Sequence, residues 1–240
     1  MKKIFFLLVC IFLSISVKPQ SYIGAWERYD TSEEGEKLKS VVIFADGYQV
    51  ITTYNADTGK FIYTNGGTWK SEGDTMTEKV EFDTRNPERV GSEISFKLTI
   101  NDSIISIVGD DMDMKRIDSG NPGKLQGAWL MSGRFRDGEE QLRDTSGPRK
   151  TMKILSGTRF QWIAYNTETK QFMGTGGGTY TTIDGKYTEN IEFFSRDDSK
   201  VGLHLSFDFN LVDSNWHHKG FSSKGDPIHE IWSLRENDYE

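Results

Sequence analysis

The sequence predicts an all-β protein made of two tandem copies of one antiparallel domain, and three observations support this fold class. Hydrophobic and polar residues alternate along short segments such as 200–209, which is the period of a strand with one buried face. Turn sequences rich in Gly, Asn and Asp separate these segments, and no 3.6-residue periodicity follows residue 20. The same succession of segments occurs twice along the 240 residues. About seven to nine short strands in each copy are typical of a barrel or a sandwich.

The first 20 residues have the pattern of a secretory signal peptide. Two lysines precede an apolar run over residues 4–17, which is shorter than the ~20 residues that a membrane-spanning helix needs. Cleavage is expected between Ser16 and Ser21. The alternative is a lipoprotein signal at Cys10, which is disfavoured because this cysteine lies in the middle of the apolar run. The sequence therefore predicts a secreted or periplasmic protein without a transmembrane span.

Composition argues against several classes of function. The chain has 29 Lys and Arg against 36 Asp and Glu, a formal net charge of −7, which argues against nucleic acid as a partner. The predicted signal peptide holds three of the basic residues and the single cysteine, so the mature chain has 26 basic and 36 acidic residues and a net charge of −10. A chain without thiols forms no disulfide framework, no cysteine zinc site and no cysteine nucleophile.

An internal repeat divides the mature chain into two domains. Aligning Tyr54 with Tyr165, an offset of 111 residues, gives 19 identities over 50 positions without a gap. Both copies open on Gly-Ala-Trp, and the second has 8 additional residues between this Trp and the aligned Tyr, in a polar stretch expected to be a surface loop. We predict a signal peptide over 1–20, one domain over 21–118, a linker over 119–123 and a second domain over 124–240.

The Gly-x-Trp motifs that end at Trp26 and Trp129 resemble the first-strand motif of lipocalins and related calycin barrels. In that family the Trp closes the bottom of the barrel and stacks on a basic residue of the last strand, a role that the resemblance implies for Arg116 and Arg235. The body of each copy also resembles a family of secreted bacterial lipocalin-like domains of unknown function. The segments of the second copy that carry this resemblance are 172–180, 187–193, 201–202 and 230–232. It implies two tandem lipocalin-like antiparallel β-barrels.

The first copy departs from this pattern. Met76 stands where the second copy has Tyr187, Trp69 stands where it has Tyr180, and the closing Glu-Ile-Trp is reduced to Asp-Met at 113–114. The resemblance therefore implies a divergent pocket in the first barrel and a more complete one in the second.

Glu78 and its repeat partner Glu189 are the most informative candidate site residues. Strand alternation places Glu189 on the face of Ile191 and Phe193, so a carboxylate points into an apolar cup if this face lines the barrel. Burying a carboxylate is costly unless it is paired or protonated. Either Glu189 orients a ligand or transfers protons, or it is satisfied by a tyrosine, an arginine or backbone amides.

The predicted ligand site lies in the cup of the second barrel. Tyr187 and Glu189 would anchor a polar group, and Phe193 and Phe207 would form an apolar wall, although such aromatic residues are equally consistent with an ordinary core. No catalytic residue, metal ligand or cofactor is predicted. The complete predicted set of ligand-binding residues is Tyr187, Glu189, Phe193, Phe207, Tyr180, Arg196 and Glu78.

Other polar motifs have simpler interpretations. Strand alternation places Glu81 and Glu192 on the face opposite to that of Glu78 and Glu189, so they are expected to face solvent. Arg85 and Arg196 follow in loops, where each forms a salt bridge or receives a carboxylate or phosphate at the barrel mouth. The histidines of the second copy show no spacing that brings three together as a zinc site. The glycines at 174–178 are expected to bend a strand or form a β-bulge rather than hold a phosphate.

Three functions are compatible with the sequence. The leading hypothesis is an exported lipocalin-like protein that binds a small amphipathic or apolar ligand without catalysis. The second is a barrel enzyme that uses Glu189 as a general acid or base. The third is a structural or protein-interaction module of the cell envelope, whose barrels would be filled by their own side chains. The fold alone does not select among them.

Overall fold

The computed structural model describes residues 21–121 and 123–236, almost entirely as β-strands. The predicted signal peptide and Pro122 of the predicted linker lie outside the described residues. The predicted fold class is confirmed, because the chain forms two closed, eight-stranded antiparallel barrels. No helix in the described part of the chain has both the length and the apolar character needed to cross a lipid bilayer.

The first barrel is a meander in which each strand pairs with the next, and β1 closes on β8. A single 3₁₀ turn, Pro87–Arg89, lies between β5 and β6. The strands are β1 (Gly24–Thr31), β2 (Lys37–Ala45), β3 (Tyr48–Asn55), β4 (Phe61–Glu72), β5 (Thr75–Asp83), β6 (Glu93–Ile100), β7 (Ile104–Ile107) and β8 (Asp113–Asp118).

The second barrel repeats this order with one addition. Part of the predicted surface loop forms the short strand β10, which pairs only with the outer end of β9, so the barrel itself closes through β9 and β17. A 3₁₀ turn, Asp198–Lys200, lies between β14 and β15. The strands are β9 (Gly127–Arg136), β10 (Glu139–Leu142), β11 (Arg149–Leu155), β12 (Arg159–Asn166), β13 (Phe172–Ile183), β14 (Lys186–Phe194), β15 (His204–Val212), β16 (Asn215–Phe221) and β17 (Pro227–Leu234).

Paired glycines place a β-bulge at the same position in both barrels, which for the run at 174–178 is one of the two predicted outcomes. The register shifts between Gly66 and Gly67 and again between Gly177 and Gly178. At both second glycines the neighbouring strand comes so close that a Cβ would lie 1.9–2.0 Å from its carbonyl oxygen. Only glycine fits such an approach, and the extra residue on the partner strand interrupts the alternation of inward and outward side chains.

Because of these bulges, the side chains of β5 and β14 do not keep the predicted inward and outward alternation along the whole strand. Glu189 and Ile191 face the interior of the second barrel, but Phe193, beyond the bulge, belongs to an apolar cluster between the two barrels. Phe82 occupies the equivalent position in the first barrel. The expectation that Phe193 shares a face with Glu189 is therefore wrong, because strand alternation holds only as far as the bulge.

The two barrels pack against each other through this cluster, whose contacts follow an approximate two-fold relation. The ring of Tyr54 stacks on Phe193 with centroids 4.9 Å apart, and the aligned pair in the opposite sense, Phe82 and Tyr165, lies at 4.8 Å. Tyr54 aligns with Tyr165 and Phe82 aligns with Phe193, so each contact joins the tyrosine of one barrel to the phenylalanine of the other. The remaining buried members are Ala25, Val41, Ile43, Ala45, Tyr48, Val50, Ala128, Leu130, Met152, Ile154 and Ile163.

Glu81 and Glu192 are not solvent-facing as predicted, because the same bulges turn them into the interface. Glu81 accepts hydrogen bonds from both terminal nitrogens of Arg235 at 2.7 and 2.8 Å and from the hydroxyl of Tyr165. Glu192 accepts hydrogen bonds from Arg159 at 2.6 Å and from the hydroxyl of Tyr54 at 2.5 Å. These hydrogen bonds outweigh the opposing effect of burial, and the pKa values of both carboxyl groups lie below their ordinary value.

Candidate functional site

The interior of the first barrel contains a cavity of about 300 Å³, which lies at the lower end of the range for small-molecule sites. Its wall is mainly aliphatic and aromatic, with a few polar side chains. The lining residues are Val42, Phe44, Gln49, Ile51, Tyr63, Asn65, Met76, Glu78, Arg89, Ile94, Phe96, Leu98, Ile105, Ser106, Ile107, Met112 and Met114.

Glu78 is a buried carboxylate in this apolar wall. It is 7% exposed and accepts a hydrogen bond from the side-chain amide of Gln49. Burial raises its pKa to about 7, with the charge of Asp83 acting in the same direction and Arg89 and the Gln49 hydrogen bond opposing it. Glu78 therefore exchanges a proton near neutral pH inside the cavity.

The raised pKa of Glu78 makes the stability of the protein depend on pH. A carboxyl group that titrates near 4.5 when unfolded and near 7 when folded binds more protons in the folded state between these values, so stability falls as pH rises through this window. We expect wild type to lose about 3 kcal/mol relative to Glu78→Gln between pH 4 and pH 8. Urea unfolding at a series of pH values measures the difference, and a constant difference would contradict the assignment.

The second barrel has its own side chains where the first has a cavity. Lys153 extends into its interior, and its ammonium group lies 2.7 Å from a carboxylate oxygen of Glu189. The two side chains are only 6% and 5% exposed, which makes this a buried ion pair. The predicted anchor Glu189 is therefore paired, and its cationic partner is a lysine, which was not among the groups considered from the sequence.

Aromatic rings surround the Lys153 ammonium group. Its nitrogen lies 5.1 Å from the ring centroids of Tyr187 and Trp216, 5.2 Å from that of Trp232 and 5.9 Å from that of Phe207. At these distances the rings attract the cation through their quadrupoles. Lys153 thus has a carboxylate partner and an aromatic enclosure, both provided by the barrel.

A second buried polar pair lies beside this enclosure. His218 and Glu230 approach to 3.1 Å, and Trp232 donates a hydrogen bond to the same carboxylate. Burial, followed by the charge of Lys153, lowers the pKa of His218, so this imidazole is neutral at pH 7. Lys153 therefore binds Glu189 directly and also lowers the pKa of Glu230, although the contact with His218 lowers that pKa more.

Side-chain volume at equivalent positions explains why one barrel is hollow and the other is filled. Ile105 pairs with Met114 across β7 and β8, whereas the equivalent pair across β16 and β17 is Trp216 and Trp232, with ring centroids 5.9 Å apart. At the start of the third barrel strand, the second barrel has Phe160 where the first barrel has the smaller Gln49. The smaller side chains of the first barrel leave the cavity.

The predicted site residues are divided among three environments. Tyr187, Glu189, Phe207 and Tyr180 do lie together in the second barrel, where Tyr180 donates a hydrogen bond to the carbonyl of Ser156 at 2.6 Å. Burial raises the pKa of Tyr187 and of Tyr180. These residues form a packed core, not the wall of an open cup.

The other three predicted residues lie elsewhere. Phe193 belongs to the inter-barrel cluster, and Arg196 donates to the carbonyl of Met173 at 2.7 Å on the surface. Only Glu78 lines the cavity. Neither Arg196 nor Arg85 forms a salt bridge with another described residue; Arg85 instead stacks on Tyr63, with 3.7 Å between its guanidinium carbon and the ring centroid.

The stacking implied for the Gly-x-Trp motifs occurs in one barrel only. The guanidinium carbon of Arg116 lies 3.9 Å from a ring centroid of Trp26, as the resemblance implies. Arg235 does not stack on Trp129; it lies over Tyr48 of the first barrel at 4.2 Å. The reason is its bidentate bond to Glu81, which directs Arg235 into the interface.

The cavity was not predicted from the sequence, although the alignment of the two copies contains a signal for it. Two of the three departures of the first copy from the family pattern remove bulk, since Met76 stands for Tyr187 and Asp-Met at 113–114 stands for the closing Glu-Ile-Trp. The predicted pocket lies in the second copy, because that copy holds more of the family motif. The free volume inside a barrel depends instead on the sizes of its inward-facing side chains. Gln49, Arg89, Tyr63 and Asn65 were not predicted as site residues.

A second, more open groove of about 540 Å³ lies on the surface beside β10. Arg134, Arg143 and Arg149 line it, and burial followed by the charge of Arg149 lowers the pKa of Arg143. This groove exists only where the second copy has its additional residues. Its wall is less enclosed and more polar than that of the barrel cavity, which remains the stronger candidate site for an apolar ligand.

Comparison with known proteins bears on the second barrel. No curated protein matches the chain. Residues 124–237, which contain every strand from β9 to β17, match the model of a family described as a domain of unknown function, DUF4488. The part of the chain that folds into the second barrel is thus similar to DUF4488, a domain family to which no activity is attached.

Proposed function

We propose that the protein is an exported, lipocalin-like binding protein that carries a small amphipathic ligand inside the first barrel. The observation that carries this proposal is the apolar cavity of about 300 Å³ around the buried carboxylate of Glu78. Export is proposed from the signal-peptide pattern of residues 1–20. The ligand position differs from the sequence-based expectation, which placed it in the second barrel.

The chemistry of the cavity favours a ligand with a long apolar part and one polar group. Residues such as Ile51, Phe96 and Leu98 offer a hydrocarbon surface to the ligand. Glu78 and Gln49 offer a hydrogen-bonding point that fixes its orientation. A ligand that bonded to Glu78 would also relieve the cost of burying that group.

The second barrel is proposed to support the first. Its filled interior and the shared apolar cluster make it a rigid partner for the hollow barrel. An enzymatic role for Glu189 is not proposed, because an enclosed carboxylate bonded to Lys153 is a poor proton-transfer group for an external substrate. The filled interior of the second barrel agrees with the protein-interaction alternative, but the cavity of the first barrel favours ligand binding.

Native mass spectrometry of gently purified exported protein tests the proposal. The native mass is expected to exceed the denatured polypeptide mass by that of one small molecule, which dissociates on denaturation. A bare polypeptide mass, together with no uptake of apolar molecules added at millimolar concentration, would contradict the proposal. The mass difference would also give the class of the ligand.

Ile105→Trp copies the side chain that fills the second barrel and is expected to abolish ligand uptake. The indole would occupy the cavity, so we expect at least a 100-fold loss of affinity, which corresponds to about 2.7 kcal/mol. Isothermal titration with the ligand identified above measures the change. Val108→Trp is the matched control, because Val108 is 54% exposed and lies outside the cavity lining. Equal affinity in Ile105→Trp and wild type would exclude the cavity as the site.

A further inference from the structure

The two barrels hold the same carboxylate at equivalent positions but give it different partners. Glu78 lies between Trp69 and Ile94 in the register of the first barrel, and Glu189 lies between Tyr180 and Leu205 in the second. Glu189 binds the ammonium group of Lys153, whereas Glu78 receives only the neutral amide of Gln49. The first barrel therefore retains the acceptor of the pair without the cation.

The register shows which side chain has changed. Lys153 pairs with Trp129 on one side and with Trp162 on the other. In the first barrel the residue that pairs with Trp26 and with Ile51, at the same two points, is Val42. Val42 lines the cavity, so the space that a lysine side chain takes in the second barrel belongs to the cavity of the first.

The second barrel thus displays a hydrocarbon chain with a terminal ammonium group bound inside this fold. Four methylene groups of Lys153 run through an apolar interior, and the cation ends on Glu189 among aromatic rings. The first barrel offers the equivalent carboxylate, an apolar wall and more free volume. Phe44 and Phe96 give aromatic surface to that wall.

The net charge around Glu78 also favours a cation. Arg89 lines the cavity, but it donates a hydrogen bond at 2.9 Å to Asp83, which is 3% exposed, so its charge is paired. Asp83 and Arg89 lie near enough to act on Glu78 in opposite directions. Arg89 has the larger effect of the two, but its charge is paired with Asp83, so Glu78 is the charged group of the cavity lining that has no ion pair with another described residue.

We propose that the ligand of the first barrel is a primary alkylamine, whose ammonium group binds Glu78 as Lys153 binds Glu189 and whose hydrocarbon chain fills the cavity. This inference rests on the proposed function and specifies its ligand class. An amine is favoured over a carboxylate, which would be repelled by Glu78, and over an alcohol, which lacks the charge-assisted hydrogen bond.

Isothermal titration with n-hexylamine, n-hexanol and hexanoate at pH 8 tests the ligand class. At this pH the amine is protonated and Glu78 is mainly ionised. We expect hexylamine to bind at least tenfold more tightly than hexanol and hexanoate not to bind measurably. Equal affinity for the amine and the alcohol would overturn the amine assignment while leaving the proposed carrier function in place. Absence of binding by all three would overturn both.

Two variants test the contact itself. Glu78→Gln is expected to reduce hexylamine affinity at least tenfold and to leave hexanol affinity within twofold, with Glu139→Gln on the exposed strand β10 as the matched control. Val42→Lys is expected to abolish hexylamine binding, because the new side chain would form the ion pair internally. If Val42→Lys fails to fold, Glu78→Gln decides the question alone. Unchanged amine affinity in Glu78→Gln would overturn the proposal.

Discussion

Lys153→Met is expected to lower the free energy of unfolding by about 3–5 kcal/mol, the range for removing one partner of a buried ion pair. The methionine preserves most of the hydrocarbon volume but leaves Glu189 buried without a cation. Glu230 also senses the charge of Lys153 but keeps its contacts with His218 and Trp232, so the uncompensated carboxylate of the variant is Glu189. Urea unfolding followed by tryptophan fluorescence measures the loss.

A surface ion pair provides the matched control for this prediction. Lys186 lies opposite Asp208 with 56% of its side chain exposed, and Lys186→Met is expected to cost less than about 1 kcal/mol. The double variant Lys153→Met with Glu189→Leu removes the uncompensated charge and is expected to recover most of the loss. If Lys153→Met cost no more than Lys186→Met, the interior of the second barrel would not depend on the ion pair.

Phe193→Ala is expected to destabilise the protein by about 3–5 kcal/mol, the range for removing a buried phenyl ring. The ring belongs to β14 of the second barrel but packs on Tyr54 of the first. Its loss therefore opens a space in a core that both barrels share. Urea unfolding gives the size of the loss, and hydrogen exchange measured by mass spectrometry is expected to increase in both β3 and β14.

Phe221→Ala is the matched control, because this ring is 65% exposed at the end of β16. We expect a change within about 0.5 kcal/mol. A Phe193→Ala protein with faster exchange only in the second barrel would show that the two barrels are energetically separate. That result would contradict the shared core.

The fold class could be predicted because its signals are local. Alternation along segments such as 200–209, the turn glycines and the internal repeat each indicate antiparallel strands, and the eight strands of the first copy and nine of the second agree with the expected number. The glycine run at 174–178 also predicted either a bent strand or a bulge, and the structure has a bulge there. What the bulge does to Phe193 and Glu192 could not be read from alternation, because one inserted residue reverses the face of every residue that follows.

The candidate site was harder to predict than the fold, because a cavity arises where inward-facing side chains are small and no sequence motif marks it. The second copy holds more of the family pattern, and its aromatic residues are compatible with a pocket wall or with a core. Lys153 decides between these, since it occupies the interior together with Trp216 and Trp232. Its aligned position in the first copy is a small apolar residue, Val42, and the contrast becomes meaningful only when the register shows that both face inward.

Titration of the purified protein with the apolar fluorophore N-phenyl-1-naphthylamine tests the central claim most directly. A hollow first barrel beside a filled second barrel predicts one site in each chain, with loss of that site in Ile105→Trp and no change in Val108→Trp. Two sites in each chain, or a single site that Ile105→Trp leaves intact, would contradict the assignment of the ligand cavity to the first barrel.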